Sequence, residues 1–476
     1  MKRCVYCSFI KSLANNINPL IDARKNKARI ACLGNAAAAL LLMHSAALAQ
    51  QWDGRALGFM PPDKGLTGDM AGVRPWLQER GFQYDLGYLS QLAYNAGGGD
   101  NHDRHAAYID QFALTFTQDL EALTAIPDAK LEGNIVNRNH DDSLTSRRLQ
   151  DNRVALNDMA QESAGRGSIT RLGWFTFSRS FDQRRLHWRI GMINKVQDFD
   201  QIIPCDFQLL SQCGGKSANA MSWYNWNVHT WGTTLQYRLQ DGLTLKGGII
   251  EQNPMAPSRR QAWNTSTRGS KGVLLPVELE WKTHLHDLPG IYNLGVLFNN
   301  ARQKDLYAGK SQVQGASDLQ GYREHRRSWF LYAGFNQQLS RHQDDAARGL
   351  SLSWSMSLAD QRTNPLQLVN ALSLRYQGPF DARPEDGVGL GFSWIKLSRS
   401  YRHNQAALNQ AEGIDDYRDP RYHPQPDYAA NAELYYRIKA ASWLQIQPDL
   451  QYWHRPGGLK TTQDAWVTGL KTTVTF

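Results

Sequence analysis

The sequence predicts an all-β protein: a 16-stranded antiparallel transmembrane β-barrel that follows a short N-terminal helical segment. One observation is a hydrophobic period of two that continues from residue 82 to the C-terminus. A second is that short and long connections alternate between these segments. A third is the composition, because 15 Trp and 19 Tyr occur in a chain of 476 residues whose mean hydropathy is only −0.54. Membrane-spanning barrels have such compositions, since only one face of each strand meets lipid.

Residues 1–49 are predicted to be a secretory signal peptide. Seven basic residues and one acidic residue precede an apolar stretch, Ala36 to Met43, and Ala47-Leu48-Ala49 forms a small-x-small cleavage pattern. Removal of this segment takes away seven of the 53 Lys and Arg residues and one of the 44 acidic residues, which lowers the net charge from +9 to +3. No basic excess remains that would favour nucleic acid, so no nucleic-acid partner is expected.

Residues 50–81 are predicted to form a linker and a short periplasmic helix. The helical pattern extends from Gly68 to Arg80, and Gly81 stands where the end of a helix favours glycine. The hydrophobic period changes to two directly afterwards. Residues 82–476 are therefore the predicted barrel domain.

The first predicted strand shows the alternation most clearly. From Phe82 to Tyr94 the even positions are mostly aromatic residues or leucine, whereas Gln83 and Asp85 occupy odd positions. Thirteen alternating residues suit a strand that crosses a membrane at a tilt. An even number of strands agrees with bacterial barrels. The sixteen predicted segments are 82–94, 108–120, 129–137, 170–181, 186–195, 229–239, 243–252, 272–283, 291–299, 327–339, 349–358, 366–377, 387–399, 428–439, 443–452 and 465–476.

The connections between these segments indicate how the barrel is oriented. Short turns such as residues 182–185 and 240–242 are expected on the periplasmic side, and long loops such as 138–169 and 196–228 outside the cell. Residues 359–365 are an exception, because the alternation predicts a long loop at this position and the connection is short. The two long loops named here could fold inward and narrow the pore.

Two cysteines, Cys205 and Cys213, remain after the predicted signal peptide is removed. Exported proteins meet oxidising conditions, which favour a disulfide between cysteines eight residues apart. A metal site is the alternative, but two thiols without nearby histidines bind metal poorly. We therefore expect a disulfide, no metal and no cofactor.

The side chains opposite the apolar face of each strand are predicted to line the lumen. Arg171 is ambiguous, since it faces inward only if Leu172 and Trp174, rather than Phe175 and Phe177, meet the lipid. The predicted pore-lining or substrate-binding residues are Glu132, Asn134, Arg138, Arg171, Arg189, Lys246 and Glu280.

These polar side chains allow two interpretations. A lumen that offers both donors and acceptors can replace the hydration water of sugar hydroxyls, each of which donates and accepts. Alternatively, the charges only solvate a wide channel or pair with one another. No catalytic motif was found: the chain has no His-Glu-x-x-His and no Gly-x-Ser-x-Gly, and its two Gly-Lys-Ser sequences lack the first glycine of a phosphate loop. An enzyme is therefore not expected.

Several stretches together resemble one known family. They are the segment from Leu66 to Arg74, Cys205 to Cys213 with the following Trp223-Tyr-Asn-Trp226, Glu251-Gln-Asn-Pro254, Glu433-Leu-Tyr-Tyr436 with Gln447 to Tyr452, and the terminal Phe476. In these stretches the chain resembles the carbohydrate-selective porins of the OprB type, and the resemblance extends over residues 66–476.

The resemblance implies a barrel in the outer membrane of a Gram-negative bacterium. Such a barrel lets glucose and related monosaccharides diffuse through an arginine-lined constriction that infolded loops help to form. The implied partners are the outer-membrane lipid bilayer and a small polar solute, and a homo-oligomer is an open option. The alternatives are a general or anion-preferring porin for sugar acids or quinate-like solutes and, as the least favoured, an outer-membrane barrel enzyme.

Overall fold

The structure is a computed structural model that describes residues 65–101, 104–139, 144–154, 158–163, 168–213, 223–311, 313–343 and 345–476. The predicted signal peptide, residues 1–49, and the linker up to residue 64 lie outside the described residues. Among the described residues, no helix is long and apolar enough to cross a membrane.

Sixteen strands close into one antiparallel barrel, which confirms the predicted fold class. Each of the sixteen predicted segments overlaps one barrel strand. Consecutive barrel strands are neighbours in the sheet, and β1 pairs with β18 to close it. Two further strands, β10 and β11, pair only with each other in the connection between β9 and β12. The strands are β1 (Phe82–Gly99), β2 (Ala106–Asp119), β3 (Ala129–Asn139), β4 (Ile169–Phe181), β5 (Leu186–Ile193), β6 (Thr230–Gln240), β7 (Leu243–Gln252), β8 (Gly272–Leu285), β9 (Leu288–Asn299), β10 (Gln303–Gly309), β11 (Tyr322–His325), β12 (Ser328–Gln338), β13 (Gly349–Ala359), β14 (Leu366–Gln377), β15 (Gly387–Leu397), β16 (Tyr428–Ala441), β17 (Leu444–His454) and β18 (Gln463–Thr475).

Within the described part of the chain, three α-helices accompany the barrel strands: α1 (Val73–Glu79), α2 (Glu121–Thr124) and α3 (Arg399–Glu412). The prediction of a helix from Gly68 to Arg80 is too long at its start. Met70, Ala71 and Gly72 all have positive φ angles, which no α-helix accommodates, so the residues before α1 form turns. Gly81 has a φ of 75°, as a glycine after a helix end requires.

The two faces of the barrel wall differ as the alternation predicts. On β18, Trp466 and Leu470 are exposed on the outer face, whereas Val467 and Lys471 are buried on the inner face. The apolar outer face is the surface that meets lipid in a membrane barrel. The inner face carries the polar groups that contact the infolded loops.

A bulge in β4 resolves the ambiguity at Arg171. Trp174 pairs with Asn134 and Leu172 pairs with Ile135, so Gly173 is an extra residue without a partner. The bulge changes the phase of the alternation. Trp174 is therefore buried on the inner face, and Arg171 lies on that same face beyond the bulge.

The segment before β1 covers the barrel seam near the C-terminus. The guanidinium of Arg74 donates to the main-chain oxygens of Tyr84 and Phe476, both at 3.0 Å. The amide of Leu66 donates to the oxygen of Thr475 at 2.8 Å. These bonds join the two ends of the barrel domain across the β1–β18 pair.

Candidate functional site

Residues 194–213, called here the lumen loop, cross the interior of the barrel. The loop leaves β5 and its first residues contact the inner faces of β5 to β8. Its far end is bonded by Cys205–Cys213, whose Cα atoms are 4.3 Å apart, and contacts β14 to β18. Because β5 and β16 are seven strands apart around the ring of sixteen, the loop spans almost the full width of the lumen.

One set of buried charges holds the start of the lumen loop, and we call it the loop-base cluster. Arg189 bonds Glu132 at 2.5 Å and Asp198 at 3.2 Å. Burial alone would raise the pKa of Asp198, but the neighbouring Arg189 guanidinium outweighs this effect, and the pKa is lowered. Asp198 therefore stays ionised and keeps the loop attached to β5.

Lys246 completes the loop-base cluster on the other side. Its ammonium donates to Glu278 at 2.9 Å, to Glu280 at 2.6 Å and to the main-chain oxygen of Asp198 at 3.0 Å. Glu278 in turn accepts the amide of Asp200 at 2.8 Å. All three donor positions of the ammonium are used, as a buried cation requires.

A second set of charges, the loop-tip cluster, holds the disulfide-bonded end. Asp206 pairs with Arg375 at 3.2 Å and with Arg437 at 3.0 Å. Lys471 donates to the main-chain oxygens of Cys205, Asp206 and Phe207 at 3.1–3.3 Å. Burial would raise the pKa of Asp206, but these three cations outweigh it and lower the pKa, so the carboxylate is charged at neutral pH.

Part of the connection between β3 and β4 also folds into the barrel, beneath the lumen loop. Asp158 accepts the amides of Met159 and Ser211, each at 3.0 Å, and the side-chain amide of Asn431. Gln161 donates to the main-chain oxygens of two strands at 2.8 and 3.0 Å. Asp158 thus joins the two infolded segments to each other and to β16.

The docking of these two segments is expected to strengthen as the pH falls. Burial raises the pKa of Asp158 to about 6 from an ordinary 3.8, so the docked state binds a proton more tightly than the undocked state. The resulting stabilisation is fully present below the ordinary pKa and is lost as the pH rises through about 6, with an upper limit of about 3 kcal/mol. Amide exchange of Ser211, corrected for its intrinsic rate, measures this between pH 4.5 and 7.5. Asp158→Asn should reduce the pH dependence, and an undiminished dependence in that variant contradicts the assignment.

The structure brings four of the seven predicted site residues together, as two ion pairs. Glu132 lies with Arg189, and Lys246 lies with Glu280, both in the loop-base cluster. The other three predicted residues contact other parts of the chain. Asn134 accepts the indole N–H of Trp226 at 2.8 Å, Arg138 donates to Gln111 at 3.0 Å, and Arg171 donates to the main-chain oxygen of Ala256 at 2.9 Å. Contact of these seven residues with a solute stays a prediction.

Two inward arginines, Arg375 and Arg437, were missed by the sequence analysis. With Asp206, they line a cavity of about 150 Å³ that also includes Asn336 and Tyr435. Their side chains keep 10% and 18% of their surface exposed, against 4% for Arg189. The alternation itself indicated them, because apolar residues flank Arg375 on β14 and Arg437 on β16, which places both arginines on the inner face.

One group of potential metal-ligand atoms occurs among the described residues. Atoms of Glu162, Cys205 and Cys213 lie within 4.8 Å of one another. The two sulfurs are joined in a disulfide, however, and a thiolate is the form that binds metal. The group therefore offers only one ligand, the carboxylate.

Comparisons with known proteins agree on one family. The family model described as carbohydrate-selective porin, OprB family, matches residues 103–476. Porin B of Pseudomonas aeruginosa is 35% identical over 425 residues, which cover 88% of this chain and 92% of that protein. A putative porin QuiX of Acinetobacter baylyi is 32% identical over 421 residues, 86% of this chain and 93% of that protein.

A solved structure shows the same relationship in three dimensions. The high-pH structure of Pseudomonas putida OprB superposes with a TM-score of 0.84 and 32% sequence identity, over 87% of this chain and 98% of that one. The chain therefore belongs to the carbohydrate-selective porin OprB family, whose barrels lie in the outer membrane of Gram-negative bacteria.

Proposed function

We propose that this porin lets monosaccharides such as glucose diffuse through a constriction between the lumen loop and strands β14 and β16. The observation that carries the proposal is the partly exposed set of Arg375, Arg437 and Asp206 around the cavity of about 150 Å³. An arginine-lined constriction was expected from the family resemblance. We assign it to these arginines, because Arg138, Arg171 and Arg189 are almost fully buried by their own partners.

The chemistry of this cavity suits a polyol. Guanidinium groups donate, the carboxylate of Asp206 accepts, and the hydroxyl of Ser351 does both, so each sugar hydroxyl can exchange its water for a partner. Tyr435 also lines the cavity, and its ring meets the buried ring of Phe207 edge to face at 4.8 Å. We propose that the seven residues predicted from sequence support this constriction by holding the loops in place.

An anion-preferring porin for sugar acids or quinate-like solutes is the second candidate. It is favoured by the loop-tip cluster, where three cations, Arg375, Arg437 and Lys471, lie around the carboxylate of Asp206. Both candidates describe passive diffusion without a cofactor, and the relatives found here are porins rather than enzymes.

A liposome-swelling assay of the refolded protein separates the two candidates. It compares glucose, a disaccharide, a neutral amino acid of similar size and a sugar acid. We expect glucose to enter faster than the size-matched amino acid, and this preference to disappear in Arg375→Gln/Arg437→Gln. Arg260→Gln, in an exposed loop position, is the control and should retain the preference. Entry that follows size alone would contradict sugar selectivity, and fastest entry of the sugar acid would favour the anion porin.

A further inference from the structure

We propose that a cavity on the outer side of the barrel binds a phosphate group of the glycolipid that forms the outer leaflet of the membrane. The cavity has a volume of about 430 Å³ and lies where β14, β15 and the start of α3 meet. It has no part in the constriction. Its polar lining residues are Gln361, Gln367, Lys396, Arg399, Arg402 and Asp427.

The position of Lys396 shows that this cavity opens on the lipid side. Ser393 and Ile395 are buried on the inner face of β15, so the side chains between and after them point outward. Phe392 on that outer face is exposed, and Lys396 lies four residues further along it. The following connection, which contains α3, is one of the long ones, and long connections lie on the extracellular side. The cavity is therefore at the outer edge of the apolar band.

The charges in the cavity do not balance. Arg402 approaches one oxygen of Asp427 at 2.8 Å, and Lys396 approaches the same oxygen at 3.5 Å. Arg399 is exposed and makes no ion pair or hydrogen bond within the described part of the chain. Three cations thus share one carboxylate, which leaves a local charge of +2 for an anion to neutralise.

The first turn of α3 concentrates positive charge at the positive end of the helix dipole. The positive end of a helix dipole repels cations, yet the first turn of α3 contains Arg399 and Arg402 and no acidic residue. The side-chain amides of Gln361 and Gln367 add further donors, and neither is hydrogen-bonded to another described residue. Two guanidiniums, an ammonium and two side-chain amides line one space, and N–H groups of this kind are the donors that phosphate oxygens require.

The location selects a lipid over a solute in transit. A solute in the lumen is separated from this cavity by the barrel wall, whereas a lipid headgroup lies beside it. The outward-facing rings of Trp394 and Tyr428, 6.4 Å apart, mark the membrane interface next to the cavity. The volume lies in the range of about 300–1,000 Å³ that small-molecule sites occupy, so it accommodates a phosphorylated sugar headgroup.

Binding of purified lipid A to the full-length mature protein in detergent tests the proposal. The probes are phosphorylated lipid A, chemically dephosphorylated lipid A and inorganic phosphate, measured by titration at low and moderate salt. The variant Arg399→Gln/Arg402→Gln removes two donors, and Asp427→Asn removes the competing carboxylate. Arg421→Gln is the matched control, because Arg421 is an exposed extracellular arginine that pairs with Asp419 away from the cavity.

We expect phosphorylated lipid A to bind the wild-type protein. The double variant should bind phosphorylated lipid A at least tenfold more weakly, and the affinity should fall further at higher salt. Asp427→Asn should bind more tightly, and Arg421→Gln should match the wild type. Equal affinity for dephosphorylated lipid A would overturn the proposal. So would equal affinity for inorganic phosphate, which would indicate a free-anion site. The Asp427→Asn variant keeps the proposal testable even if the double variant fails to fold. If Asp427→Asn does not bind phosphorylated lipid A more tightly than the wild type, the proposal is also overturned.

Discussion

Replacement of Lys246 by Met is expected to release the lumen loop while the barrel stays assembled. The ammonium of Lys246 is the common partner of Glu278, Glu280 and the main-chain oxygen of Asp198, and Glu278 is fully buried. Removing one partner of a buried ion pair leaves an uncompensated charge, at a cost of about 3–5 kcal/mol. Lys246 bonds the loop directly through Asp198, and Glu278 accepts the amide of Asp200, so this cost falls largely on the docking of the loop. The strand ladder is unaffected, because its hydrogen bonds are made by the main chain.

Single-channel conductance and limited proteolysis measure the release of the loop in Lys246→Met. An undocked loop should widen the pore, raise the conductance and expose residues 194–213 to cleavage. Lys282→Met is the matched control, since Lys282 also pairs with Glu280, at 3.3 Å, but keeps 35% of its side chain exposed. The control should resemble the wild type. Unchanged conductance and protease resistance in Lys246→Met would show that the loop-base cluster does not hold the loop.

The barrel could be predicted from sequence because one physical pattern governs it. Each strand must present apolar side chains to lipid at every second residue, and this period is visible in the sequence without any knowledge of strand pairing. The helix α3 could not be found in this way. Its residues, from Arg399 onward, are polar on average, and two of its three buried side chains, Gln405 and Asn409, are themselves polar, so few apolar residues mark its buried face.

The candidate site was only partly predictable, because alternation tells which face a side chain occupies but not its partner. It placed Glu132, Arg189, Lys246 and Glu280 on the inner face, yet their pairing depends on which strands lie opposite one another and on Asp198, which comes from the loop. Arg171 was ambiguous because a bulge at Gly173 interrupts the period. The anchoring of the loop tip involves strands more than 160 residues away in the chain, and no local pattern indicates it.

The charge of Asp206 is expected to set how strongly the constriction prefers anions. Its carboxylate forms ion pairs with both Arg375 and Arg437, at 3.2 and 3.0 Å. Asp206→Asn makes the surroundings more positive by one unit charge and keeps the shape of the side chain. The loop tip should remain docked, because Lys471 bonds main-chain oxygens of residues 205–207 and not the carboxylate.

The change in ion preference should be large enough to measure directly. A unit charge about 4 Å from a permeating ion contributes about 1 kcal/mol in water, which corresponds to roughly a fivefold change in preference. The reversal potential in a KCl gradient should therefore shift toward anion selectivity in Asp206→Asn, and entry of a sugar acid should rise relative to glucose. Asp415→Asn, at an exposed position after α3, removes the same charge outside the loop-tip cluster and should leave both quantities unchanged. An unchanged reversal potential in Asp206→Asn would mean that permeating ions do not pass the loop-tip cluster, and the constriction would then have to lie elsewhere along the lumen loop.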